Sequence, residues 1–438
     1  MNSPFATPRR LATALLAVIA LTTPMFIVAC GDDDDTAPAS SIETLGLTVD
    51  RSEPGDGAEA AEATRSFAAD LYQQLAATGE GENLVFSPHS VSIALAMTSA
   101  GAEGETLDQK ETVLHAAAAE DIHAAYNALD QALAERSGEY PLNDDTVELE
   151  LSIVNQLWGQ QDFEFVDEFL DLLAAEYGAE MRLVDYINDH EGARELINDW
   201  VAEQTRARIA ELIPDGVLDD MTRLVLTNAI YLNAPWAKPF DEQATSTGPF
   251  TRLDGSEVDA EMMRLDERLT YGEGDGFQAV RLPYVDGSLS MIAVLPAEGA
   301  FEEFEASLDG DRIDEITGSL GDAQVELIFP RFEFRTEAQL ADALAELGMP
   351  AAFEPNEADF SGISTADDLY LQDVVHEAFI SVDEEGTEAA AATGAVVGVV
   401  SAPPVSVEVA FDRPFFFLIQ DEETGAVLFI GRVLDPAS

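Results

Sequence analysis

Cysteine is almost missing from this chain: Cys30 is the one example in 438 residues. No internal disulfide can form, so the fold must be held by its core. Lysine is nearly as scarce, with only Lys110 and Lys238, and Lys plus Arg number 21 against 85 Asp plus Glu. The formal net charge of −64 argues against nucleic acid and anionic membrane surfaces as partners, because clustered cations recognise both. No GxSxG elbow, HExxH helix or phosphate-binding glycine loop occurs. Of the five histidines, His115 and His123 lie eight apart and read as a surface pair without a third ligand. Asp309, Gly310 and Asp311 open like a calcium loop, but the later glycine and glutamate positions do not follow. The expectation is a chain that is not an enzyme, with no cofactor and no metal.

What the chain does have is 47% hydrophobic residues, including 23 Phe, enough for a large core inside an acidic shell. Arg9 and Arg10 precede an apolar run over 11–28, which reads as an export signal over 1–29. The run ends in Ile27, Val28, Ala29 and Cys30, a pattern that resembles a bacterial lipobox, in which the cysteine carries lipid and becomes the mature N-terminus. The plainer alternative is an ordinary signal peptide followed by a chance cysteine. No later apolar stretch is long enough to span a bilayer. The expected location is therefore the cell envelope or cell surface as a lipoprotein, or else the medium. Residues 30–60, with the run Asp32, Asp33, Asp34 and Asp35, read as a flexible acidic tether, a solvated linker being a simpler reading than a metal site. The compact domain spans 61–438.

Within it, helical character is predicted over 66–75, and Val166, Phe169, Leu170, Leu173 and Tyr177 share one helix face ended by Gly178. A second long helical stretch is predicted over 196–213, before Pro214. Val147, Leu149, Leu151 and Ile153 alternate as a half-buried strand, and 222–232 reads as a central strand. At the end, 405–420 and 426–433 read as a hairpin. Helices come early and strands late, giving an α+β fold.

Between two strand-like segments lies 384–404, EEGTEAAAATGAVVGVVSAPP, too long for an ordinary hairpin loop. Read with period two, Thr387, Ala389, Ala391, Thr393, Ala395 and Val397 share an uncharged face, and Glu388 falls on the other. Such a segment could slide between existing strands without burying a charge. A flexible Ala/Gly linker is the bland alternative.

The stretch 384–392 resembles the proximal hinge of inhibitory serpins, here of bacterial type. Further serpin-like stretches follow in the family's order: 83–97 (NLVFSPHSVSIALAM), 169–173, 227–236 (TNAIYLNAPW), 238–241, 262–263, 282–284, 329–332 (FPRF), 359–362, 413–415 and 429–433. The resemblance covers everything after residue 61. It implies a serpin fold of three β-sheets and eight or nine α-helices with an exposed reactive-centre loop. It also implies suicide-substrate inhibition: a protease cuts the loop, stays attached as an acyl-enzyme, and is disabled as the loop enters the main sheet. Glu385, Gly386, Thr387, Glu388, Ala389, Ala390, Ala391 and Ala392 would form the hinge. Ser87, Ser90, Asn228 and His376 resemble the buried shutter network, and Trp236 the breach where insertion begins.

The family's usual spacing puts the reactive bond at Val400–Ser401. No Lys, Arg, Phe, Tyr, Leu or Met occurs over 388–404, which disfavours trypsin-like and chymotrypsin-like targets. Elastase-like or subtilisin-like serine proteases fit a small aliphatic residue, and papain-like cysteine proteases stay open. No basic patch supports a heparin-type polyanion, and a monomer is expected. The competing readings are a non-inhibitory serpin acting as a binding or carrier module, and an exported enzyme of unknown chemistry.

Overall fold

The computed structural model describes residues 42–45 and 49–438, apart from 80, 118, 120, 144, 367–368 and 389–405. The signal segment, Cys30, the first part of the tether, Ala389 to Ala392 of the hinge, and Val400 and Ser401 lie outside the described residues.

Two sheets and nine α-helices carry the described chain, the α+β arrangement expected. Seven strands lay out the path of the main sheet: β1 (Glu43–Leu45), β2 (Asp145–Gln160), β3 (Met181–Val184), β4 (Leu224–Pro235), β5 (Phe332–Gln339), β6 (Val375–Val382) and β7 (Gly386–Thr387), in the spatial order β1-β3-β2-β4-β7-β6-β5. Gly138–Leu142 pairs on the far part of β2. The second sheet has nine strands, and its longest, the 18-residue Glu257–Gly274, bonds to three neighbours. That length joins into one hydrogen-bonded surface what the resemblance implied as two separate sheets.

Helices α1 (Ala58–Thr78) and α2 (Pro88–Ser99) fill the core beneath. All twelve residues of α2 are buried. It starts where it does because Ser87 caps it and Pro88 needs no hydrogen-bond partner at the first position. The helix Tyr186–Gln204 packs on the other face of the main sheet and makes its own small core, with Ile197 and Val201 against Val154, Trp158 and Ala229. Fully burying a side chain of this size stabilises the fold by roughly 1.5–3 kcal/mol.

Four expectations change. The helix predicted over 196–213 ends at Gln204, because Arg206 and Ala207 adopt left-handed backbone angles and Thr205 turns its hydroxyl onto the Val201 carbonyl. The apolar residues Ile209, Leu212 and Ile213 continue as an irregular cover over the sheet. The predicted strand over 405–420 is two strands, Val407–Ala410 parallel to Gly321–Pro330 and Phe415–Asp421 paired with Val427–Val433, split by residues 411–414, which include Pro414. The helix ended by Gly178 widens from α (Asp167–Leu172) to π (Leu173–Tyr177) in its last turn. Part of the tether is ordered: β1 adds to the edge of β3, and Arg51 reaches Asn127 and Asp130 at 2.9 and 2.6 Å. A sequence of low hydrophobicity is held there by backbone ladder bonds and charge, which composition does not reveal.

Candidate functional site: the slit in the main sheet

Strands β4 and β6 run parallel but meet at only two register pairs, His376 with Asn228 and Glu377 with Ala229. Beyond them, 230–233 and 378–381 share no ladder pair, so the sheet is parted there. Parted strands leave backbone N–H and C=O groups without sheet partners, and a new strand could satisfy them.

The closed end is the network predicted from Ser87, Ser90, Asn228 and His376, all buried. The Ser87 N–H donates to His376 Nε2 at 3.1 Å, which leaves Nδ1 to carry the proton and donate to Asn228 Oδ1 at 3.0 Å. The Asn228 amide then donates to the Ser90 carbonyl at 2.7 Å and to Asn155 Oδ1 at 2.6 Å. Helix α2 is thereby tied to β4, β6 and β2 at one point. Ser90 contributes through its backbone; its hydroxyl has no partner among the described residues. Asn155 was missed by sequence reasoning, although its place opposite Asn228 follows once β2 and β4 are paired. Burial pushes the His376 pKa down to about 4, so the ring is neutral.

The open end is built around Trp236 and the hinge. Trp236 stacks on Tyr284 with ring centroids 4.7 Å apart, and its indole N–H donates to the Asp383 carbonyl at 3.0 Å. The Asp383 carboxylate accepts the N–H groups of Glu385 and Gly386, which bends the chain back toward the slit. Glu384 is buried and is held by Arg331 and the Thr245 hydroxyl. Gly386 and Thr387 then form β7, antiparallel to Pro235 and Ala234 of β4 on one side, with Thr387 opposite Val382 of β6 on the other. Gly386 is required by contact: a Cβ there would collide with the Ala234 carbonyl and sit 2.8 Å from the Pro235 Cα.

The neighbouring hinge residues Thr387 and Glu388 find different partners. Thr387 points inward, buried, with its hydroxyl 2.7 Å from that of Tyr284. Glu388 turns outward, with φ of 54°, and pairs with Arg208, while its N–H still donates to the Ser381 carbonyl at 2.9 Å. Arg208 also lies over the Phe379 ring at 5.3 Å. Arg208 was not singled out in the sequence, where 196–213 read as one helix.

The two histidines read as a pair have separate partners, His115 with Asp70 and His123 with the Tyr177 hydroxyl, each at 2.7 Å. Among the described residues no cluster of metal-ligating side chains occurs, and no helix is long and apolar enough to cross a membrane.

Residues 62–436 match the family Serpin (serine protease inhibitor). The chain belongs to the serpin family. It is 38% identical over 404 residues to an uncharacterized serpin-like protein of Thermococcus kodakarensis, covering 91% of each chain. It is 33% identical to the human leukocyte elastase inhibitor over 383 residues, covering 85% of this chain and 98% of that one. Among solved structures, the thermophilic serpin tengpin in its native state superposes with a TM-score of 0.79 at 28% identity, over 90% of this chain and all of that one. Uncleaved ovalbumin gives 0.77 at 26% identity, over 87% of this chain and all of ovalbumin. The serpin fold expected from the motifs is thus the fold observed.

Proposed function

We propose that this serpin is an exported suicide-substrate inhibitor of elastase-like or subtilisin-like serine proteases. The observation that carries the reading is β7. Two hinge residues already sit as an antiparallel strand between β4 and β6, with the uncharged Thr387 inward and Glu388 outward. In the sequence, the period-two pattern continues through Val397, with only small or β-branched side chains at the positions that would face inward. Cleavage at Val400–Ser401 would free the loop to continue along the slit, pairing backbone groups that the parted strands leave open. Each step is downhill, so the attached protease is carried away before deacylation. Leukocyte elastase inhibitors among the relatives fit the aliphatic reactive bond. Export with a lipid on Cys30 is part of the same proposal, and would display the bait at the cell surface. The partner is the target protease, bound covalently by a monomer.

The test is incubation with a panel of elastase-like and subtilisin-like proteases, followed by denaturing electrophoresis. A band at the combined mass that survives SDS, with the released peptide beginning at Ser401, is expected. Cleavage at the loop by every protease without any such band would sink inhibition and leave a non-inhibitory serpin.

A further inference from the structure

Outside the slit, residues from 251–253, 296–302 and 412–414 close around a cavity of about 380 Å³, a size that suits a small molecule. Two hydrogen bonds draw these segments together. The Thr251 N–H donates to the Asp412 carbonyl at 2.8 Å, and Arg413 Nη2 donates to the Pro296 carbonyl at 3.1 Å. Arg252 and Arg413 each follow a member of the first bond, and both line the cavity. Leu253, Ala297, Phe301 and Pro414 give it an apolar surface. Leu253 is 44% exposed, one of few large apolar side chains that stand out from an acidic shell.

The charges on these walls are only partly used. Arg252 donates through Nε to Asp435 and through Nη1 to Ser256, and its Nη2 has no partner among the described residues. Arg413 uses Nη1 on Asp412 and Nη2 on Pro296, while its buried Nε has no partner among them. On the segment 296–302, Glu298 and Glu302 are exposed, and their carboxylates have no hydrogen bond or ion pair among the described residues. Donors and acceptors of full charge thus face one cavity without meeting each other.

We infer that this cavity binds a short peptide with both termini free. Its carboxylate would meet Arg252 and Arg413, its ammonium Glu298 and Glu302, and its side chains the apolar surface between. A simple anion suits the guanidiniums but is opposed by the two glutamates and by a net charge of −64. A simple cation meets the reverse conflict at the two arginines. A zwitterion satisfies both sets, and a peptide holds its two charges at opposite ends of an apolar body. No residue of the slit or the hinge takes part, so this site stands apart from loop insertion.

The experiment titrates the full-length protein with leucyl-valine, followed by calorimetry. N-acetyl-leucyl-valine and leucyl-valine amide, each blocked at one terminus, and free leucine are the comparison ligands. Leucyl-valine should bind about tenfold or more tightly than either blocked form, the ratio set by losing a hydrogen bond to a charged group. Ala297→Trp, at an exposed position on the wall, should fill the cavity and abolish binding without changing the melting temperature of the unliganded protein. E298Q/E302Q should weaken leucyl-valine yet strengthen N-acetyl-leucyl-valine, a crossover that a damaged fold would not give. No binding of leucyl-valine, or equal binding by wild type and A297W, would overturn the site. Equal binding of free and blocked dipeptides, or tighter binding of leucine, would overturn its assignment to a peptide with free termini.

Discussion

Where β4 and β6 meet, at Asn228 and His376, the contact is neutral, buried and hydrogen-bonded to α2; where they part, around Gly386 and Thr387, it is ringed by carboxylates and guanidiniums. Polar groups in a buried network have no water to fall back on, so losing one member strands the others. At the open end the carboxylates of Glu384 and Glu388 are largely buried, but the guanidiniums of Arg331 and Arg208 that hold them reach solvent and can trade partners. The same slit is therefore locked at one end and latched at the other. A strand that enters from the latched end gains pairing before it must disturb the lock.

The largest effect should come from breaking the inward face at its entry. Thr387→Arg puts an unpaired cation where the Thr387 hydroxyl now meets Tyr284. Burying such a charge costs several kcal/mol, and 1.4 kcal/mol is a factor of ten, so the ratio of SDS-stable complex to cleaved product should fall roughly tenfold or more. Equal complex formation by the variant would show that this residue does not enter the sheet.

Breaking the lock should be felt in stability. Asn228→Ala leaves His376 Nδ1, the Ser90 carbonyl and Asn155 Oδ1 each short of a partner. A loss of about 2–4 kcal/mol is expected in urea unfolding, chiefly from the two of these groups that are fully buried, His376 Nδ1 and the Ser90 carbonyl. A loss under about 0.5 kcal/mol would mean that water enters and the end is not sealed.

Two neighbours at the lock should respond to pH with opposite signs. The folded pKa of His376 lies at about 4, below its ordinary 6.5, because burial opposes the charged ring. Between those values the unfolded chain binds a proton that the folded one refuses, so stability falls as pH drops through 6.5 toward 4, by on the order of 3 kcal/mol. Glu377 is the reverse: burial pushes its carboxyl up to about 7, with Arg335 opposing and Glu337 adding to the rise. Its contribution is present at low pH and is lost as pH rises from 4.5 through about 7. Glu377→Gln should raise the melting temperature at pH 8 and leave it unchanged at pH 4, while His376→Gln should flatten the acid limb. A Glu377→Gln effect that grows on acidification would reverse the assignment.

The lock was legible in the sequence and the latch mostly was not. Ser87, Asn228 and His376 stand in motifs whose order was readable, and the period-two pattern around Thr387 already named the inward face. Arg208 was hidden because Ile209, Leu212 and Ile213 match helical spacing, and nothing in that pattern signals the left-handed turn at Arg206 and Ala207 that ends the helix. Gly386 could be read as a hinge glycine, but its reason, the closeness of the Ala234 carbonyl, is tertiary. Asn155 has the same history: an amide on a half-buried strand becomes part of the lock only when β2 is set in register with β4. Pairing partners far apart in the chain decide these roles, and local periodicity carries no record of them.

The smallest expected effect is also the one that separates latch from lock most directly. Arg208 is 47% exposed and its partner Glu388 9%, so water and salt compete for the pairing from the guanidinium side. Removing it by Arg208→Ala should cost no more than about 1 kcal/mol in native stability, and less in high salt. In a double-mutant cycle the same change made on a Glu388→Ala background should cost only what the contact with Phe379 contributes. A coupling of several kcal/mol that ignores salt would make this end a second buried lock. The entry of β7 would then have to break two sealed contacts instead of sliding past one loose one, and the hinge could no longer be the place where insertion starts.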